Sequence, residues 1–189
     1  MLIAINDLLV YGAAISRPTG IQRVATGIAA ELIARGDARA VVITAEKIYS
    51  AKIPQQKNGA VTGLSEPLLN VLSMTPRPVQ EMVRRIARSA LSRITPRQRG
   101  DEVVATRGEW LVILGAPWIA PGMARAAIRL RSERGIKIAL LVHDLLPATD
   151  PQWFADAQGV SARRDVESLI ASADQIFSVS PEVASAANT

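Results

Sequence analysis

The 189-residue sequence contains no cysteine, which excludes a disulfide framework, a thiolate zinc site and a cysteine nucleophile. It has one histidine, His143, too few for a histidine metal cluster. Aromatic residues are 4% of the chain against 49% hydrophobic residues overall, so the core has to be assembled mostly from Ala, Ile, Leu and Val. That supply suits a sheet covered by helices, because buried parallel strands are short aliphatic runs. Long apolar runs are missing as well. The longest uncharged stretch, Trp110 to Ala124, is too short to cross a bilayer and is interrupted by Gly115, Pro117, Pro121 and Gly122. Met1 to Ser16 lacks a basic start and carries Asp7 in mid-run, unlike an export signal. These absences lead to the expectation of a cytoplasmic protein, soluble or attached peripherally to the inner face of the membrane.

What is present begins with length and charge. The length suits one compact domain, or one domain with an insertion. The formal net charge is +5, but its distribution matters more than its total. Arg77, Arg84, Arg85, Arg88, Arg93, Arg97 and Arg99 crowd into residues 77–99 against the single acid Glu81, so the basicity belongs to that segment alone.

Periodicity supplies the elements. Leu2 to Asn6 forms a first strand ending at Asp7. A helical pattern runs from Ile21 to Arg35, with Ile21, Val24, Ile28, Leu32 and Ile33 near one face, and Gly36 stops it. Ala40 to Thr44 is a second strand. Residues 47–76, punctuated by Pro54, Pro67 and Pro76, are expected to be mostly loop, and Val79 to Ile94 a helix. Trp110 to Leu114 is a third strand, Pro121 to Arg134 a helix opened by proline, and Ile136 to Val142 a fourth strand ending at His143-Asp144. A helix around Ser161 to Ala171 leads to the strand Gln175 to Val179, after which Ser180-Pro181-Glu182 starts another helix. Five strands alternating with helices predict an α/β fold: a Rossmann-like open parallel sheet with helices on both faces. Residues 1–189 form one domain in this reading, with a loop and basic-helix insertion at about 47–105. Ligands of such sheets bind beyond the carboxyl ends of the strands. The loop after strand one, the His143-Asp144 turn and the helix start at Ser180 all qualify by position.

More than one reading stands for each chemical candidate. Arg17 to Arg23 (RPTGIQR) leads into a helix N-terminus, where unpaired amides and the macrodipole favour an anion. Gly20 permits close approach, Arg17 and Arg23 offer charge, and Thr19 and Gln22 offer hydrogen bonds; the plainer alternative is an ordinary connection capped by Thr19. The pattern is neither a dinucleotide fingerprint nor a P-loop. In Leu141 to Pro147 (LVHDLLP), His143 can serve as base, hydroxyl donor or charge stabiliser, and Asp144 can orient a hydroxyl. Equally, His143 can be a satisfied structural histidine and Asp144 a turn former. Trp153 and Phe154 anchor a loop or stack on a sugar, with packing favoured. In the helix 79–94 the stripe Val79, Val83, Ile86, Ala87, Ala90 and Ile94 faces away from Arg84, Arg85 and Arg88, with Arg93 at its edge. It either packs on the sheet, lies on anionic lipid, or binds nucleic acid. The last ranks lowest, since no stacking aromatics or reader motif accompany it.

Three segments together resemble the group 1 (GT4-like) bacterial glycosyltransferases that build surface polysaccharides. Thr19-Gly20-Ile21-Gln22-Arg23-Val24 is similar to a TGIxRV segment near the start of such proteins. Leu141 to Pro147, continuing through Asp150-Pro151-Gln152-Trp153-Phe154, resembles their HDxxP turn. Ala173 to Ser180 resembles the strand that leads into their next helix. The resemblance leaves roughly residues 45–105 uncovered. It implies the N-terminal half of a GT-B enzyme of hexosyltransferase type, two Rossmann-like domains facing across a cleft. The N-terminal domain mainly holds a glycan or lipid-linked acceptor. The partner domain holds the nucleotide sugar, which is a co-substrate; no cofactor and no metal are implied. His143, with Asp144, would face the sugar, and the Gly20 loop, with Ser180 on the same expected edge, would lie near the phosphate or the acceptor. The donor-binding domain with its paired glutamates is not in these residues, so the chain is expected to be truncated and inactive alone. The alternative is a non-catalytic scaffolding or peripheral membrane module on a Rossmann frame.

The basic segment sets a first test. Sedimentation with anionic vesicles is expected at low salt and lost at high salt. Failure to bind at low salt removes the membrane reading of Arg84, Arg85, Arg88 and Arg93.

Overall fold

The computed structural model describes residues 1–9, 19–53, 56–57, 60–61, 100–120, 122–150 and 156–187. In chain order the elements are β1 (Leu2–Ala4), α1 (Gly20–Ala34), β2 (Arg39–Ile43), β3 (Ile48–Ser50), β4 (Gln56–Lys57), β5 (Ala60–Val61) and β6 (Trp110–Ile113). They continue with α2 (Met123–Arg134), β7 (Lys137–Val142), α3 (Leu146–Thr149), α4 (Asp156–Ser172), β8 (Gln175–Ser178) and α5 (Pro181–Ala187). Arg84, Arg85, Arg88 and Arg93, with Arg17, Trp153 and Phe154, lie outside the described residues.

Six strands form one sheet in the order β3-β2-β1-β6-β7-β8, and β4 and β5 make a separate hairpin. Every pairing in the sheet is parallel except β2 with β3. The chain leaves β1 for β2 on one side and leaves β6 for β7 on the other, so the winding direction reverses between β1 and β6. Right-handed crossovers on either side of such a reversal put their helices on opposite faces. The two apolar clusters follow that rule. Ile3, Ile5, Val42, Val112 and Leu114 meet Ala25 and Ala29 of α1 on one face. Leu2, Ala4, Val41, Leu111, Ile113 and Ile138 meet Met123, Ala127 and Leu130 of α2 and Val166 and Leu169 of α4 on the other. Both faces of the central strands are thereby covered, which is why those strands are near-continuous aliphatic runs rather than alternating ones.

Three expectations are corrected. The sheet has six strands rather than five, because β3 lies within the stretch expected to be loop. Thr44 turns the chain by accepting the Lys47 amide on its hydroxyl (3.0 Å), and its own amide donates to the Lys47 carbonyl (2.9 Å). Ile48 is then wholly buried at the sheet edge. Second, α1 docks through the small residues Ala25 and Ala29, while Val24 and Ile28 stay 44% and 37% exposed. The alanines let the helix axis come close to the sheet; Leu32 and Ile33 of the expected stripe pack beside them, and only its Val24 and Ile28 turn off it. Third, α2 begins at Met123, because Gly122 adopts a left-handed φ of 82° at the N-cap. The end of α1 is as expected. Gly36, at φ 79°, donates to the Ile33 carbonyl and Asp37 to the Leu32 carbonyl, both at 3.0 Å, the paired bonds of a Schellman stop.

Asp174 ties the far side of the sheet together. Its carboxylate accepts Arg131 Nη2 at 2.8 Å and Nε at 3.1 Å from α2, and the Ile138 amide at 2.9 Å from β7. The Arg131 guanidinium first, then the Ile138 amide, hold this carboxyl at about 2. A depressed carboxylate contributes stability above its unfolded value and loses it as pH falls through the folded one. Asp174→Ala is therefore expected to cost about 1 kcal/mol at neutral pH, the solvent-exposed ion pair supplying only part of it. In urea titrations the gap between wild type and variant should stay level down to about pH 5 and close towards pH 2; a gap that ignores acid argues against the clamp.

Candidate functional site

The carboxyl ends of β1, β6 and β7 are neighbours in the sheet and flank the winding reversal, where open α/β sheets leave a crevice. At the end of β1, Asn6 turns its side chain into a strand-like clamp. Its Nδ2 donates to the Ile43 carbonyl (2.7 Å), and its Oδ1 accepts the Ile43 amide (3.0 Å), fixing the end of β2 beside β1. Residues 6–9 then coil into a helical turn, closed by the Leu9 amide on the Ile5 carbonyl at 3.1 Å.

That turn carries Asp7 inward. The side chain is 1% exposed. Its Oδ2 accepts the Ala116 amide at 2.9 Å, while Oδ1 has no hydrogen-bond partner. Burial pushes the carboxyl above the usual aspartate range, opposed first by the Ala116 amide, then by the Leu8 and Asp7 amides and by charge on His143. The carboxylate sits where a side chain at residue 115 would be: a Cβ built on Gly115 would lie 1.8 Å from Asp7 Oδ2. Gly115 is therefore dictated by close approach and not by a special backbone angle.

On the opposite flank of the same turn, His143 leaves the end of β7 half-buried, with Nε2 2.7 Å from the Leu114 carbonyl oxygen. A carbonyl can only accept, so Nε2 carries the proton and Nδ1 holds the lone pair. Asp144 is half-buried and accepts the Leu146 amide on Oδ1 at 3.2 Å, which opens α3. Asp144 is thus engaged as a turn former, the role that Asp commonly takes.

The first turn of α1 lies at the same edge, since α1 connects the parallel strands β1 and β2. Thr19 holds the N-cap position, but its hydroxyl donates to Gln22 Oε1 instead of capping a backbone amide. Gln22 points inward and is 3% exposed, so its amide serves the helix start and does not face solvent. Gly20 and Arg23 are exposed, nothing lies within 4 Å of a Cβ built at Gly20, and the first turn contains no acid. An uncapped helix start without carboxylates is electrostatically open to an anion. Ser180 follows β8 at this edge too, where its Oγ accepts the Val183 amide at 3.4 Å and caps α5. Its hydroxyl also bonds Glu182 and lowers that carboxyl.

By topology His143, Asp144, Gly20 and Arg23 lie along one edge of the sheet, with Thr19, Gln22 and Ser180 occupied in local bonds. Sequence reasoning missed Asp7 and Gly115. The available signal was an acid inside the apolar run Ile3 to Leu9, paired with a glycine directly after the strand Trp110 to Leu114. Among the described residues no group of three or more acidic or histidine side chains is arranged to hold a metal ion. No family model matches this chain, and no curated protein or solved structure matches it.

The packing at Gly115 is open to measurement. Gly115→Ala is expected to destabilise the fold by about 1–3 kcal/mol, as overpacking does. In the Asp7→Ala background the same substitution should cost at least ~1 kcal/mol less, because the clashing carboxylate is gone. Additive losses in the four-protein denaturation cycle would show that the two residues do not share that space.

Proposed function

We propose that this chain is the acceptor-side, Rossmann-like domain of a retaining GT-B glycosyltransferase acting in surface polysaccharide synthesis. The observation that carries the reading is His143, held at the winding reversal with Nε2–H spent on a backbone carbonyl and Nδ1 without a hydrogen bond among the described residues. A neutral imidazole so oriented accepts a hydrogen bond, which suits the hydroxyl of a sugar. The open start of α1, with Arg23 exposed beside it, supplies what a hydroxyl site lacks, a place favouring negative charge.

The two features divide the work of glycosyl transfer. Cleavage of the bond between the sugar and its diphosphate builds negative charge on the leaving phosphate, and a helix start aimed at that charge stabilises it. His143 orients a sugar hydroxyl across the crevice, and Asp144 fixes the turn on which His143 stands. The nucleotide sugar is the donor substrate, held mainly by a second domain, and the acceptor is a glycan or a lipid-linked sugar. The arginines of residues 77–99 suit an acceptor presented at an anionic membrane surface. Among the described residues no helix is long and apolar enough to cross a membrane.

In an assay of sugar transfer from nucleotide sugars to glycan or lipid-linked acceptors, with the donor-side domain supplied, His143→Ala is expected to lower turnover by about 10²-fold or more. Its circular dichroism and melting should remain those of the wild type. Unchanged turnover removes His143 from the chemistry. No transfer with any donor, together with no response of the His143 ring resonances to acceptor glycans, overturns the glycosyltransferase reading itself.

A further inference from the structure

Among the described residues Asp7 is the single buried acid, at 1% exposure. Oδ2 has one donor, the Ala116 amide at 2.9 Å, and Oδ1 has none. No described lysine, arginine or amino terminus forms an ion pair with it. A Cβ built on Gly115 would lie 1.8 Å from Oδ2, so on that flank the oxygen rests against backbone with no space for water. An ionised carboxylate in such a place is heavily penalised, because neither a charge nor enough donors replace the water it lost. A neutral carboxyl avoids most of that penalty. Oδ2 keeps the Ala116 bond as a carbonyl oxygen and Oδ1 carries the proton, a buried hydroxyl costing far less than a buried charge. Asp174 is the opposite case. Two bonds from Arg131 and one from the Ile138 amide surround its carboxyl and hold it at about 2.

We propose that Asp7 is a proton-held latch: as a neutral acid it fastens the turn after β1 to the turn after β6, and its ionisation undoes that fastening. Asp7 stands on one helical turn, residues 6–9, closed by the Leu9 amide on the Ile5 carbonyl. A charged Asp7 reaches water by displacing this turn, which takes the acceptor from the Ala116 amide. The displacement also exposes Leu8 and Leu9, both buried on the same turn, so release lowers stability. Burial is the strongest influence on the carboxyl and pushes it up, while the Ala116, Leu8 and Asp7 amides oppose it. From β7 the described titratable group is His143, whose positive charge, when it has one, opposes it too. Residues 114–116 and 8–9 bring no titratable side chain. A carboxyl raised on folding lends stability that is fully present below its unfolded value, about 3.9, and is lost as pH rises through its folded one. That slope is opposite in sign to the one Asp174 gives. The latch does not depend on the function proposed above, and neither stands or falls with the other.

Asp7→Asn keeps an oxygen for the Ala116 amide and cannot ionise, so comparison with wild type isolates the latch. In urea titrations at a series of pH values, the folding equilibrium constant of wild type relative to Asp7→Asn is expected to fall about tenfold per pH unit above the usual aspartate value, levelling off beyond the folded one. Asp174 is present in both proteins and cancels in that ratio. The ¹³C signal of the Asp7 carboxyl, assigned in wild type through its own backbone, should still read as protonated where exposed aspartates have ionised. Hydrogen exchange at the Ala116 amide should quicken with pH more steeply in wild type than in Asp7→Asn. Equal steepness in the two proteins overturns the release, and a stability ratio flat with pH overturns the proposal as a whole. An Asp7 carboxyl that titrates within or below the usual aspartate range overturns it as well. That carbon titration needs wild type alone, so it decides the matter even where Asp7→Asn fails to fold.

Discussion

The Asp7 carboxylate occupies the volume that any side chain at residue 115 would need, and the candidate site is organised around that contact. It joins β1 to the turn after β6 by one bond to the Ala116 amide, while His143 joins β7 to the same turn through the Leu114 carbonyl. Three adjacent strand ends are thus locked at one point, and the point is where the winding of the sheet reverses. Here the loop backbone is held by side chains on both flanks, so functional groups on it are preorganised, as a site acting by positioning and electrostatics requires.

The rest of the molecule supplies rigidity to that point. Ile3 and Ile5 on one face and Leu2 and Ala4 on the other are each buried, so β1 cannot shift register without moving both apolar clusters. The Asn6 clamp on Ile43 carries the same constraint to β2, and the Asp174 clamp carries it from β7 to α2. These are polar devices at the two ends of an otherwise aliphatic sheet. They compensate for its shortage of aromatics, whose larger contact areas would normally fix strand ends by packing alone.

How much of this was legible in the sequence depends on what each signal measures. Hydrophobic runs located β2, β6 and β7 to within a residue or two, because burial on both faces leaves a near-continuous aliphatic string, and the half-exposed edge strand β8 was located from its short apolar run. The same logic failed for β3, where only Ile48 is buried and the turn at Thr44 to Lys47 has no glycine or proline to announce it. Periodicity found α1 and put Leu32 and Ile33 rightly against the sheet, but it weighted Val24 and Ile28 above the alanines that make the close contact. At the site, His143 and Asp144 stood out because polar residues ending a strand are conspicuous. Asp7 did not, since an acid after a strand ordinarily starts a turn and faces water. Its burial depends on Gly115, more than a hundred residues away in sequence, and no local pattern encodes that pairing.

The fixed tautomer of His143 has a consequence for the kind of ligand the edge can take. A ring with Nε2–H committed to a carbonyl offers one lone pair when neutral and one N–H when protonated, both at Nδ1. Neutral, it favours a hydroxyl donor and disfavours an anion; protonated, it favours the anion. The start of α1 has no such choice, because its amides and Arg23 always present positive potential. A ligand bearing hydroxyls at one end and phosphate at the other would satisfy both ends at once only in a single orientation, with the hydroxyls at β7 and the phosphate at α1. The edge is therefore polar in direction as well as in chemistry.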